Sequence, residues 1–125
     1  MANPNIVNVT TIYGNTSSTA LSTTSATSIV SNAASSGKVF KINSIVVANV
    51  DGSLASDITI NVYSAAALGG TAYAIASTIS VPADATLIVT DKTTSFYLLE
   101  NQSIGATAGS ANDLVVTASW EEINS

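Results

Sequence analysis

Apolar and polar positions alternate with a period of two through most of this chain. Tyr73, Ile75, Ser77, Ile79 and Val81 fall on one phase, with Ala74, Ala76, Thr78 and Ser80 on the other, the pattern of a strand with two unlike faces. Ile58, Ile60 and Val62 alternate in the same way with Thr59, Asn61 and Tyr63, as do Leu114, Val116, Ala118 and Trp120 with Val115, Thr117, Ser119 and Glu121. The apolar faces are expected to pack on one another as a core. Strands are predicted at about Ile6 to Tyr13, Lys38 to Val50, Ile58 to Tyr63, Ala72 to Val81, Thr86 to Thr90, Ser95 to Leu99, Ser103 to Ala108 and Leu114 to Ile123. Helix signals are weak: Ala65 to Leu68 and Ala33 to Ser36 could each form one turn before Gly or Ser ends it. The chain therefore reads as an all-β, antiparallel β-sandwich of about eight strands.

Within Lys38 to Val50 the apolar phase changes, from Phe40 and Ile42 to Ile45 and Val47. A one-residue bulge near Asn43 and Ser44 would return both pairs to one buried face. Turn chemistry separates the elements at Asp51-Gly52, Gly69-Gly70, Pro82-Ala83-Asp84, Glu100-Asn101-Gln102 and Ala111-Asn112-Asp113, all suited to tight connections. Residues 14–37 form a Ser/Thr/Ala-rich tract whose large apolar residues are Leu21, Ile29 and Val30. It reads as a strand with long surface loops packed down through those three residues, or as an extended arm that orders on a neighbouring subunit.

Length and composition narrow the function. A chain of 125 residues fits one domain and can bury roughly two thirds of the surface it exposes when unfolded. It has no His, Cys or Arg, and charged residues are 9% of the total. Without cysteine there is no disulfide framework and no thiolate metal site. A nucleophilic serine would have to be activated by one of three lysines or a carboxylate, and no strand-to-helix elbow surrounds any serine. The net charge of −5 argues against nucleic acid, whose phosphates are bound by clustered Lys and Arg. Residues 1–9 have neither the basic nor the apolar region of a secretory signal, and no stretch approaches the ~20 apolar residues of a membrane helix. Manufacture in the cytoplasm with no membrane partner is the expectation.

Local motifs add little chemistry. Asn8-Val9-Thr10, Asn15-Thr16-Ser17 and Asn101-Gln102-Ser103 match the glycosylation acceptor pattern, which a chain rich in Asn, Ser and Thr generates by chance. Asp51-Gly52-Ser53 with Asp57 lacks the alternating acids and terminal Glu of a calcium loop and reads as a hairpin turn. Glu121 and Glu122 are adjacent on a strand, so they point to opposite faces and cannot flank one substrate. Trp120 shares the phase of Leu114, Val116 and Ala118 and is assigned to the core. The other aromatics leave a sugar-stacking platform as a second class of function, with Tyr63 and Tyr97 as its candidates. No catalytic, metal or cofactor site is predicted.

Mean hydropathy is +0.42, with the apolar residues offset by uncharged Ser, Thr and Asn rather than by ions. Natural sandwiches guard their edge strands with lysines, prolines, inward charges or bulges, and this chain has three lysines and two prolines. At least one edge or face is therefore expected to be covered by another subunit, through contacts that depend little on ionic strength.

The opening Met1 to Thr10, the run Val39 to Gly52, the stretch Ile75 to Leu87 and the segments Tyr97 to Ile104 and Ser119 to Ile123 together resemble small virion structural proteins of tailed phages of cyanobacteria and other marine bacteria. The resemblance covers nearly the whole chain and rests on overall pattern. It implies a non-enzymatic sandwich of jelly-roll or immunoglobulin-like type, most commonly a head decoration or cement protein. Such a protein forms homo-oligomers, often trimers, on the major capsid protein or other virion proteins, and is localised in the virion. A neck, tail or fibre-attachment protein shares the same features, and a carbohydrate-binding or adhesive module is the reading outside the virion. The resemblance carries over no site residues. The N-terminal strand and the Ser/Thr tract, least able to form a core of their own, supply the candidate partner contacts Ile6, Val7, Val9, Leu21, Ile29 and Val30.

Overall fold

Nine strands pair as one long hairpin rolled on itself, in a computed structural model that describes residues 4–124. The strands are β1 (Thr11–Ala20), β2 (Thr27–Asn32), β3 (Lys38–Asn49), β4 (Ser56–Ala65), β5 (Gly69–Val81), β6 (Thr86–Thr90), β7 (Phe96–Leu98), β8 (Gln102–Ala108) and β9 (Leu114–Asn124), with one 3-10 turn at Lys92–Thr94. First pairs with last (β1 with β9), second with next to last (β2 with β8), β3 with both β6 and β7, and β4 with β5, all antiparallel. The resulting sheets run β1-β9-β3-β6, with β7 also on β3, and β2-β8-β4-β5. This nesting is the double Greek key of a jelly roll, and it selects that arrangement over the immunoglobulin-like alternative.

The two inner faces meet in one core that includes Ile42, Ile45 and Val47 of β3, Ile58 and Ile60 of β4, Ile104 of β8 and Val116 of β9, each fully buried. The change of phase in β3 is resolved by the bulge predicted there. Ile42 lies opposite Trp120 and Ser44 opposite Ser119, leaving Asn43 without a ladder partner. The extra residue brings Phe40 and Ile42 on one side of it and Ile45 and Val47 on the other to the same face. Asn43 turns out, and its amide donates to Glu121 Oε1 at 3.3 Å.

Three expectations are corrected. The N-terminal strand begins at Thr11 rather than Ile6 and runs on to Ala20, so the first part of the Ser/Thr tract is strand. A second strand missing from the sequence reading, β2, occupies Thr27–Asn32. The tract therefore holds strand as well as connections, and Leu21, Ile29 and Val30 pack it down on the core as the first of its two readings has it. Its first strand is held by its ladder to β9, which requires no apolar alternation. Last, the phase of Tyr73, Ile75, Ile79 and Val81 does not form a continuous buried face: the first three are exposed, Val81 is buried, and so is Ala76 of the opposite phase. The register between β4 and β5 shifts three times, so the phase read from sequence is broken along β5. Residues 66–68 and 33–36 form turns, not helix.

The β4–β5 connection folds back over the outer face of its own sheet. Leu68 N donates to Ser103 Oγ at 2.9 Å, Ala67 N to Ser31 Oγ at 3.0 Å and Ala66 N to the Asn101 side chain at 3.1 Å. Beneath it lies Gly105, where a Cβ would stand 2.7 Å from a Leu68 methyl and 2.9 Å from the Tyr63 ring. Any larger residue there would have to displace the Leu68 methyl and the Tyr63 ring.

Truncation of the core should be costly and truncation of the surface cheap. Ile58→Ala is expected to lower stability by about 2–5 kcal/mol, whereas Ile88→Ala, at a side chain 62% exposed, should change it by no more than about 0.5 kcal/mol. Urea unfolding of the two variants checks the difference.

Candidate assembly surface

The six candidate contact residues divide into two groups. Ile6 and Val7 are exposed, Val7 at 91%, and Val9 is half-buried. They precede β1 and lie in no strand, although Thr10 N donates to Asn124 O at 2.7 Å and so begins the pairing that β1 continues. Leu21, Ile29 and Val30 are buried in this chain's own core and cannot serve a partner. The chain reverses after β1, where Leu21 N donates to Leu114 O at 2.9 Å. A register shift between Ser28 and Val30 lets two consecutive residues, Ile29 and Val30, both be buried. The β-branched pair in Thr27-Ser28-Ile29-Val30 was the signal for a strand in that tract.

The surface the structure does offer lies along the sheet edges. β1, β2, β5, β6 and β7 each have one free side, and none contains a charged residue. Lys38 and Lys41 stand on β3, Asp57 on β4, and Glu121 and Glu122 on β9, all three strands interior to their sheets. The remaining charges lie in connections, with Asp91 and Lys92 at the turn between β6 and β7. This reverses the usual guard, in which charge on the edge discourages pairing with another chain. Exposed apolar side chains accompany the neutral edges: Ile12 and Tyr13 on β1, Tyr73, Ile75 and Ile79 on β5, and Ile88 on β6.

The edges differ in quality. β5 is irregular through its three register shifts, and the β6–β7 side is interrupted by the 3-10 turn. β1 pairs with β9 through ten consecutive residues without a shift. Its substantial contacts are all with β9, and its inward-facing Asn15, Ser17 and Thr19 are only half-buried. At one end of this strand Glu122 accepts from Asn15 Nδ2 at 2.8 Å and from Lys38 Nζ at 3.2 Å, tying β1, β9 and β3 together in a partly exposed cluster.

Other polar groups are engaged in local structure. The Asp51 carboxylate accepts from Ser53 N and Ser53 Oγ, both at 3.0 Å, bonds that hold its pKa below the ordinary value. Asp91 accepts from the Thr93 hydroxyl at 2.6 Å and from Thr93 N at 3.0 Å, with the same effect. These are turn-closing contacts. Glu121 and Glu122 point to opposite faces and bond separate partners. Tyr63 packs over Gly105, while exposed Tyr13 and Tyr97 stand on opposite edges of one sheet and Tyr73 on the edge of the other. The tyrosines thus form no shared platform. Trp120 stacks on Phe40 with ring centroids 6.3 Å apart and packs against the core. Among the described residues there is no cleft of ligand size and no group of three or more acidic side chains placed to hold a metal ion.

No family model matches the chain, and no curated protein matches it. Among solved structures, a chain from the work describing Bacillus endospore appendages as a novel family of disulfide-linked pili shares the fold, with a TM-score of 0.53 and 17% identity over 100% of this chain and 96% of that one.

The ionisable groups set the expected pH response. Asp51 and Asp91 have folded pKa values below their unfolded ones, so their contribution is complete above the unfolded value of about 4 and is lost as pH falls through the folded one. With no histidine there is no step near neutrality. The thermal unfolding midpoint should be flat between about pH 5 and 9 and fall below about pH 4, as calorimetry across pH would show.

Proposed function

We propose that this chain is a non-catalytic structural subunit of a tailed-phage particle, a head decoration or cement protein that acts by protein–protein contact. The observation that carries the structural part is the neutrality of the sheet edges: a small acidic sandwich keeps its charges on interior strands and connections and leaves its pairing edges uncharged. The phage assignment rests on the sequence resemblance to virion proteins. A residue set without His, Cys or Arg supports a passive role, since it contains no side chain whose ordinary pKa lies near neutrality. Neutral contacts also persist when ionic strength changes.

Mechanistically the role is additive burial. A contact of standard size removes on the order of 1,600 Å² from solvent, and symmetry repeats it over many copies, so that individually modest contacts hold a shell. The partners on this reading are further copies of the chain and the major capsid protein, with the virion as its location and no nucleic acid or membrane engaged.

A second reading is a subunit of a fibre or tail structure. It is favoured by the fold shared with the appendage chain described among disulfide-linked pili. This chain has no cysteine, so any polymer it formed would be held without disulfides.

Copy number in purified particles separates these readings. Hundreds of copies per particle are expected for head decoration. About a dozen or fewer would move the chain to the neck or tail, and absence from particles would overturn the virion assignment.

A further inference from the structure

We propose that β1 is the self-association edge of this protein, and that two copies join β1 to β1, antiparallel about a two-fold axis, to make one continuous sheet. The inference deepens the assembly reading above by naming the contact, but it rests on the geometry of the edge and not on where the assembled protein resides.

Two independent features of the strand carry it. First, β1 is unbroken: ten consecutive residues pair with β9 in a single register, and no described residue pairs with its other side. Leu21 N donates to Leu114 O, so by alternation the amides of residues 20, 18, 16, 14 and 12 point away from β9. That leaves a row of donors and acceptors spaced to receive another strand. Second, the strand carries no charge. In a molecule of net charge −5, a second copy is repelled least where the edge itself is neutral. Glu121 and Glu122 of β9 lie opposite Gly14 and Tyr13, at one end of the ladder. The antiparallel two-fold arrangement sends the acids of the two copies to opposite ends of the joint.

Ile12 and Tyr13 of the same strand are exposed, Tyr13 at 62%, and would be flanked by side chains of the second strand.

A second copy of β1 is the occupant that fits. The β6–β7 side offers five- and three-residue strands separated by a turn, β2 has six residues with a register shift, and β5 is interrupted by its bulges, so none of them matches ten regular residues. A two-fold axis supplies an edge of equal length and the required antiparallel sense. The contact builds a dimer, in place of the trimer that the resemblance implied.

The test uses the full chain in sedimentation equilibrium over a wide concentration range, with Gly14→Pro and Thr16→Lys variants. The wild type is expected to show twice the chain mass at high concentration. Gly14→Pro removes an N–H turned away from β9 and leaves the ladder to β9 intact, so it should keep the wild-type circular dichroism yet sediment at the chain mass. Thr16→Lys places charge at the centre of the joint and should do the same, which preserves the test if Gly14→Pro does not fold. A wild type that stays at the chain mass at every concentration would overturn the proposal, as would an oligomer whose mass neither variant changes. These outcomes concern the isolated protein, and particle copy number separately decides the virion reading.

Discussion

The rest of the structure depends on the ladder between β3 and β9. β9 carries β1 on its other side, and β3 carries β6 and β7 on its other side, so every strand of the larger sheet is attached through this pair. Its register also decides which side chains reach the core. One unpaired residue, Asn43, allows Phe40 and Ile42 to share a face with Ile45 and Val47. Without it one of these pairs would face solvent, because side chains in a strand alternate strictly. Trp120 lies opposite Ile42 and stacks on Phe40 at the point where the bulge bends the strand.

Much of this was legible in the sequence because burial leaves a period-two record. β3, β6, β8 and β9 were predicted within one residue of their observed limits, and the bulge in β3 could be located from the change of phase between Ile42 and Ile45. The failures have a common cause. β1 and β2 lie in a stretch where backbone pairing does not need strict alternation: β1 is held by a ladder with polar residues on its inner face, and β2 buries Ile29 and Val30 consecutively through a register shift. β5 misled in the opposite direction, since its regular alternation in sequence is broken in space by bulges. Leu21, Ile29 and Val30 were expected both to pack the tract down and to touch a partner, and the first is what the fold does with them: Leu21 follows β1, Ile29 and Val30 lie on β2, and all three are in this chain's own core.

The edge that became the candidate surface was only half visible. The scarcity of charge could be counted from composition, but its placement could not, because which strands are interior is a property of the topology. Once β3, β4 and β9 are seen to be interior, their five charges fall inside the sheets and the edges are left neutral.

The central claim is that this sandwich assembles through backbone pairing at an uncharged edge. Hydrogen–deuterium exchange of the β1 amides at low and high protein concentration tests it most directly. The outward amides of Ile12, Gly14, Thr16 and Ser18 should exchange quickly in dilute solution and become protected at high concentration, while those turned toward β9 stay protected throughout. Outward amides that exchange quickly at every concentration would contradict the account.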